Sequence, residues 1–131
     1  MFVDASALVA IVTFEPEKER LELSLKNSAE VSTSALTLYE AALAITHKKE
    51  ISIEAAVAFV DEFVRESGAV IIPIDADIGR EAILAFDRFG KGRHRAALTM
   101  GDCFSYACAK VHHVSLLCKG DDFVHTDMRI A

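Results

Sequence analysis

Residues Ala69 to Ile74 form an unbroken apolar run, Ala-Val-Ile-Ile-Pro-Ile, with no alternation of polar side chains. A continuous run of this kind predicts a strand buried on both faces, and such strands belong to parallel sheets covered by helices on either side. Val114 to Cys118 reads as a second buried strand, and Phe2-Val3 opens the chain with a third short apolar run. Helix-like stretches separate the runs, so the pattern predicts a three-layer α/β/α architecture around a central, mostly parallel sheet. At 131 residues the chain suits one domain, spanning 1–131, with a core that needs no staples.

Caps and stops place the helices. Ala5 to Phe14 reads as a first helix, and Glu15-Pro16 opens a second that runs to about Lys26, since Pro is at home in a first helical turn. Glu30-Val31-Ser32 can supply a brief strand, and Ser34 is an N-cap for a helix from Ala35 to about His47. Ser52 caps the next helix, whose stripe of Ile53, Val57, Val60 and Val64 is widened by Ala56, Phe59 and Phe63, and Gly68 closes it. Asp75 caps a helix carrying Ile78, Ala82, Ala85, Phe86 and Phe89, with Gly90 at its end. Gly101-Asp102 starts the last helix, with a stripe of Phe104, Ala107, Cys108 and Val111, and a final edge strand falls near Met128 to Ile130.

Composition narrows the function classes. The hydrophobic fraction of 52% exceeds the usual share and predicts a dense core together with apolar surface for a partner. No run reaches the ~18 apolar residues of a membrane span, and Asp4 and Ser6 interrupt the opening, which is not expected to be a signal peptide. The three cysteines, Cys103, Cys108 and Cys118, sit in apolar patterns and read as buried thiols in a reducing cytoplasm rather than a disulfide framework or zinc site. A net charge of −6 is the opposite of a generic nucleic-acid binder, so any contact with a polyanion must be local or assisted by a cation.

The chemistry-bearing residues are acids. Asp4 ends the first strand, where open α/β folds place ligand sites, although Asp is also a favoured helix cap. Glu40 shares a helical face with Leu36, Leu43, Ala44 and His47 and is expected to point inward, where an ionised carboxylate is costly unless paired or bound to metal. Asp102 falls in a first helical turn, whose free N–H groups favour a carboxylate and should depress its pKa. Asp121 and Asp122 follow the Val114–Cys118 strand. Converging carboxylates repel one another unless a hard cation neutralises them. An oxygen-only donor set suits magnesium or manganese better than zinc. Such ions serve phosphodiester hydrolysis. The one concentrated basic stretch, Lys91-Gly92-Arg93-His94-Arg95, reads as a flexible loop that grips phosphates.

Phe2-Val3-Asp4-Ala5-Ser6-Ala7, Glu40, Lys91-Gly92-Arg93-His94, Gly101-Asp102-Cys103-Phe104-Ser105-Tyr106 and Lys119-Gly120-Asp121-Asp122-Phe123 occur in an order and spacing that resembles the PIN-domain toxins of the VapC type, over nearly the whole chain. The resemblance implies a cytoplasmic endoribonuclease that uses Mg2+ or Mn2+, acts on RNA as a homodimer and is restrained by a cognate VapB-type antitoxin. It implies that Asp4 and Asp102 are the principal metal ligands and that Glu40 completes the acidic cluster, acting through water. The fourth acid matches Asp122 best, with Asp121 as the other choice. Ser6 would orient a carboxylate through its hydroxyl, and Ala5 stands where the family often has Thr. Lys91, Arg93 and Arg95 are the candidates for steering the RNA backbone. The antitoxin would dock on the helices around Leu36–Leu43 and Ile53–Val64 and insert a basic side chain among the acids.

Three other readings stand beside this one. A receiver-type signalling domain is also a small acidic α/β module with a lysine after a late strand, here Lys119, but it needs a phosphoacceptor Asp on a middle strand and an acidic pair after the first. A haloacid-type phosphatase needs a second Asp where Ser6 stands. The non-enzymatic alternative is a PIN-fold binding module without catalysis.

Overall fold

The computed structural model describes residues 1–131. Its elements run β1 (Phe2–Val3), α1 (Ala5–Val12), α2 (Lys18–Lys26), β2 (Ser32–Ser34), α3 (Ala35–Lys49), α4 (Ile53–Ser67), β3 (Val70–Ile72), α5 (Ala76–Phe89), α6 (Met100–Val111) and β4 (Leu116–Leu117). The four strands form one parallel sheet in the order β3-β2-β1-β4. The chain leaves β1 toward β2 and β3 on one side and returns to place β4 on the other. The crevice between the carboxyl ends of β1 and β4 is therefore the switch point at which open parallel sheets bind ligands.

Strand pleating divides the core into two halves. Phe2 and Leu116 point to one face, where α5 and α6 bury Ile78, Ala82, Phe89, Ala107 and Cys108. Val3 and Leu117 point to the other, against Leu8, Leu21, Ile45, Val60 and Phe63 from α1 to α4. These layers are the α/β/α arrangement expected from the alternation of runs. The caps at Ser34, Ser52 and Asp75 each accept a backbone N–H three residues on, as their positions predict.

Four sequence expectations need correction. The Ala69–Ile74 run contributes only Val70–Ile72, and this strand is not buried on both faces: Val70 is 63% and Ile71 42% exposed. It lies at the edge of the sheet with β2 as its only partner. The strand expected at Glu30–Ser32 is Ser32–Ser34 instead. Its polar sequence hides it from apolar pattern reading, yet Thr33 is fully buried because its hydroxyl donates to the carbonyl of Val3 at 3.1 Å. The third concerns α3, whose buried positions are Thr37, Ala41 and Ile45, whereas Leu43 is exposed. The expected stripe of Leu36, Leu43, Ala44 and His47 is displaced around the helix. At the far end, residues 128–130 make a single parallel bridge, Ile130 to Leu116, rather than a full edge strand.

Candidate active site

Asp4 follows directly on β1 and plays two parts. As the N-cap of α1 its Oδ2 accepts from the amide of Ser6 at 3.0 Å and from the Ser6 hydroxyl at 2.6 Å. Its Oδ1 accepts from the hydroxyl of Ser105 on α6 at 2.6 Å. The carboxylate is only 6% exposed. Ser6 in turn accepts from the amide of Lys119 at 3.0 Å, which ties the exit of β4 to the first turn of α1. The cap reading of Asp4 is met through Oδ2, while Oδ1 is bonded to α6.

Asp102 enters from the first turn of α6, where it forms a capping box with Thr99: the Thr99 amide donates to its Oδ2 at 3.0 Å and the Asp102 amide to the Thr99 hydroxyl at 3.4 Å. Thr99, the actual cap, was readable as a Thr three residues before an acid, a signature normally sought with Glu or Gln. The expected depression of the Asp102 pKa does not occur. Burial raises it, Asp4 and Asp122 add to the rise, and together they outweigh the Thr99 hydrogen bonds.

Glu40 reaches the same place from α3. Burial, followed by the charges of Asp4 and Asp102, pushes its carboxyl up to about 7. It does point inward, although the stripe used to predict this is not the buried one. What admits it is Gly101, buried on α6: a methyl group in place of the glycine hydrogen would overlap the Glu40 carboxyl carbon and both its oxygens. Gly101 and Ser105 are the site residues that sequence reading missed, although both lie inside a motif already singled out. The only available signals were a glycine at a helix start and a small polar residue one turn beyond Asp102.

Of the two acids after β4, the charge of Asp122 acts on Asp102 and on the buried thiol of Cys118, whereas Asp121 does not figure among the influences on either. Both acids are exposed. The ammonium of Lys119 turns away to Glu15, which also pairs with Lys48. All three cysteines are buried as free thiols.

The structure therefore brings Asp4, Glu40 and Asp102 together, with Asp122 at the rim. The donor chemistry fits a hard divalent cation: carboxylate oxygens only, with Glu40 pushed up to about 7 by burial and then by the charges of Asp4 and Asp102, and no basic side chain paired to any of them. No three acidic, histidine or cysteine side chains form a closed ligand shell.

The basic stretch, read from the sequence as a flexible loop, has contacts of its own. Residues 91–97 form a loop closed at its base by the Gly90–Leu98 bridge. His94 accepts from the Ala96 amide and packs its ring edge-on against Phe89, 5.3 Å between centroids. The loop leads straight into Thr99 and the helix bearing Asp102. Arg93 is bound to Asp87 at 2.7 Å, while Lys91 and Arg95 are exposed and make no ion pair. Arg88 turns elsewhere, joining Tyr106 and Asp127 in a cluster that anchors the segment after Phe123. Asp75, the acid after β3, is a helix cap at an edge strand, not an acid on a middle strand.

Comparison with known proteins gives one consistent picture. The profile of the PIN domain family matches residues 1–128. Ribonuclease VapC of Mycolicibacterium smegmatis is 41% identical over 98% of this chain and 97% of its own length. Ribonuclease VapC30 of Mycobacterium tuberculosis is 38% identical over 98% and 95%. Among solved structures, Mycobacterium tuberculosis VapC20, a toxin that cleaves the sarcin–ricin loop, superposes with a TM-score of 0.78 at 16% identity, covering 99% of this chain and 97% of that one. The VapBC2 structure from Rickettsia felis, bound to a DNA fragment from its promoter, gives 0.72 at 18% identity over 98% and 94%.

Proposed function

The chain belongs to the PIN-domain family of VapC ribonucleases, and from that premise we propose that it is a metal-dependent endoribonuclease, the toxin of a toxin–antitoxin pair, working in the cytoplasm on RNA. The observation that carries the reading is the meeting of Asp4, Glu40 and Asp102 at the β1–β4 switch point, close enough that the charges of Asp4 and Asp102 add to the effect of burial on Glu40. Asp4 and Asp102 are the residues that would hold Mg2+ or Mn2+, with Glu40 and Asp122 completing the acidic set. Bound there, the ion would lower the pKa of an attacking water and stabilise the leaving oxygen. The chain's own residues do the rest. Ser6 fixes Asp4, Thr99 fixes Asp102, and Gly101 leaves room for Glu40.

The acidic site repels RNA, so approach depends on the loop before α6. Lys91 and Arg95 are free to meet backbone phosphates, and Arg93 supports the loop through Asp87 as well as adding charge. A VapB-type antitoxin is the partner for the apolar side chains left exposed on α3 and α4, among them Tyr39, Leu43, Ile53 and Val57. Ile83, Leu84 and Phe86, exposed on α5, offer apolar surface for a homodimer.

The test is cleavage of a total RNA pool by the wild-type chain and by Asp4→Asn, with Mg2+ or Mn2+ and again with EDTA. Discrete cuts that require metal and vanish in Asp4→Asn are expected. Equal cleavage by both chains, or cleavage indifferent to EDTA, would refute the assignment.

A further inference from the structure

Asp4 has few acceptor positions left. An ionised carboxylate offers about four lone-pair sites, two on each oxygen. On Oδ2 both are taken, by the amide and the hydroxyl of Ser6. On Oδ1 one is taken by Ser105 at 2.6 Å. Asp4 is therefore left with a single free site, on Oδ1, and Ser105 decides which one that is.

Ser105 itself has a cheaper option that it does not use. A serine inside a helix readily donates to the carbonyl four residues back, here that of Gly101. Instead it reaches across 101 residues of sequence to Asp4, at a position only 2% exposed. It also lies one turn beyond Asp102 and one turn beyond Gly101, the residue that receives the Glu40 carboxyl. One stretch of α6 thus contacts or carries all three acids.

We propose that Ser105 is a positioning residue, which by gripping Oδ1 from the helix that bears Asp102 fixes the direction in which the one free acceptor position of Asp4 would meet a small divalent cation. The proposal rests on the cation site of the preceding section. Its chemical consequence is selectivity. Mg2+ demands near-octahedral geometry with single-oxygen ligands, whereas Ca2+ accepts two-oxygen carboxylates and loose geometry. With Ser105 in place, Asp4 cannot swing Oδ1 toward a looser geometry without losing a buried hydrogen bond. Without Ser105, only Ser6 restrains it.

The experiment is Mn2+ binding to RNA-free protein, followed by electron paramagnetic resonance, with Mg2+ and Ca2+ as competitors. Wild type, Ser105→Ala and Ser105→Cys are compared, each checked for cooperative melting in EDTA. Cysteine keeps the shape but donates weakly, so it supplies the readout if the alanine variant does not fold. The expected result is roughly tenfold weaker Mn2+ binding, the usual scale for losing a residue that orients a ligand, together with a smaller preference for Mg2+ over Ca2+. A folded variant with Mn2+ affinity within about twofold of wild type would overturn the proposal, as would an equal loss for all three ions. Failure of the wild type itself to bind Mn2+ would refute the cation site and the proposal with it.

Discussion

Replacing Glu40 by Gln should stabilise the metal-free protein and do so only above mildly acidic pH. Glu40 carries a carboxyl raised from 4.5 to about 7, first by burial and then by Asp4 and Asp102. A raised folded-state pKa means that the favourable contribution is complete below the unfolded value and is lost as pH climbs through the folded one. Between 4.5 and about 7 lie 2.5 units, worth about 3.4 kcal/mol for a fully shielded group. Glu40 is only partly buried, so solvent screening reduces this to roughly 1–2 kcal/mol. Glutamine keeps the shape and discards the charge. Urea denaturation in EDTA should therefore show Glu40→Gln more stable than wild type by about 1–2 kcal/mol at pH 8, or some 3–8 °C in melting temperature. The two curves should converge as pH falls to 5. A variant less stable at pH 8, or a difference that does not change with pH, would refute the claim that burial and its neighbours' charges disfavour the ionised form of Glu40.

Gly101→Ala should cost about 1–3 kcal/mol of stability by overpacking and displace Glu40, so that metal-dependent cleavage falls even at a temperature where the variant is fully folded. Denaturation and single-turnover kinetics on one preparation separate the two effects. Converting Lys91, Arg93 and Arg95 to Ala should weaken RNA binding and flatten its salt dependence by about 0.7 per lost phosphate contact while leaving Mn2+ affinity unchanged. Lys91 and Arg95 should account for more of the loss than Arg93, because Arg93 is already engaged with Asp87, and fluorescence anisotropy across salt concentrations reads all of this.

How far the sequence foretold the structure depended on whether a residue's role was local. The caps at Ser34, Ser52 and Asp75 were readable because a cap is decided within four residues. The layered fold was readable because apolar runs alternate with helical ones. The edge position of β3 was not, since an apolar run does not state which strands it will lie beside. β2 was misplaced by two residues because Thr33 is buried through a hydrogen bond rather than through apolar character. The acids of the site were found one by one, but Gly101 and Ser105 acquire meaning only when α3 and β1 are packed against α6. The sign of the Asp102 shift was missed for the same reason. The helix terminus is local and visible, whereas the burial and the charges of Asp4 and Asp122 that override it come from elsewhere in the chain.

The central claim is that the carboxylates at the β1–β4 crevice hold a catalytic divalent cation. Crystals grown with Mn2+, with data collected at the manganese absorption edge, test it most directly. An anomalous peak between Asp4 and Asp102, within reach of Glu40 and absent in Asp4→Asn crystals, is the predicted result. A peak elsewhere on the surface, or none among these acids at saturating Mn2+, would contradict it.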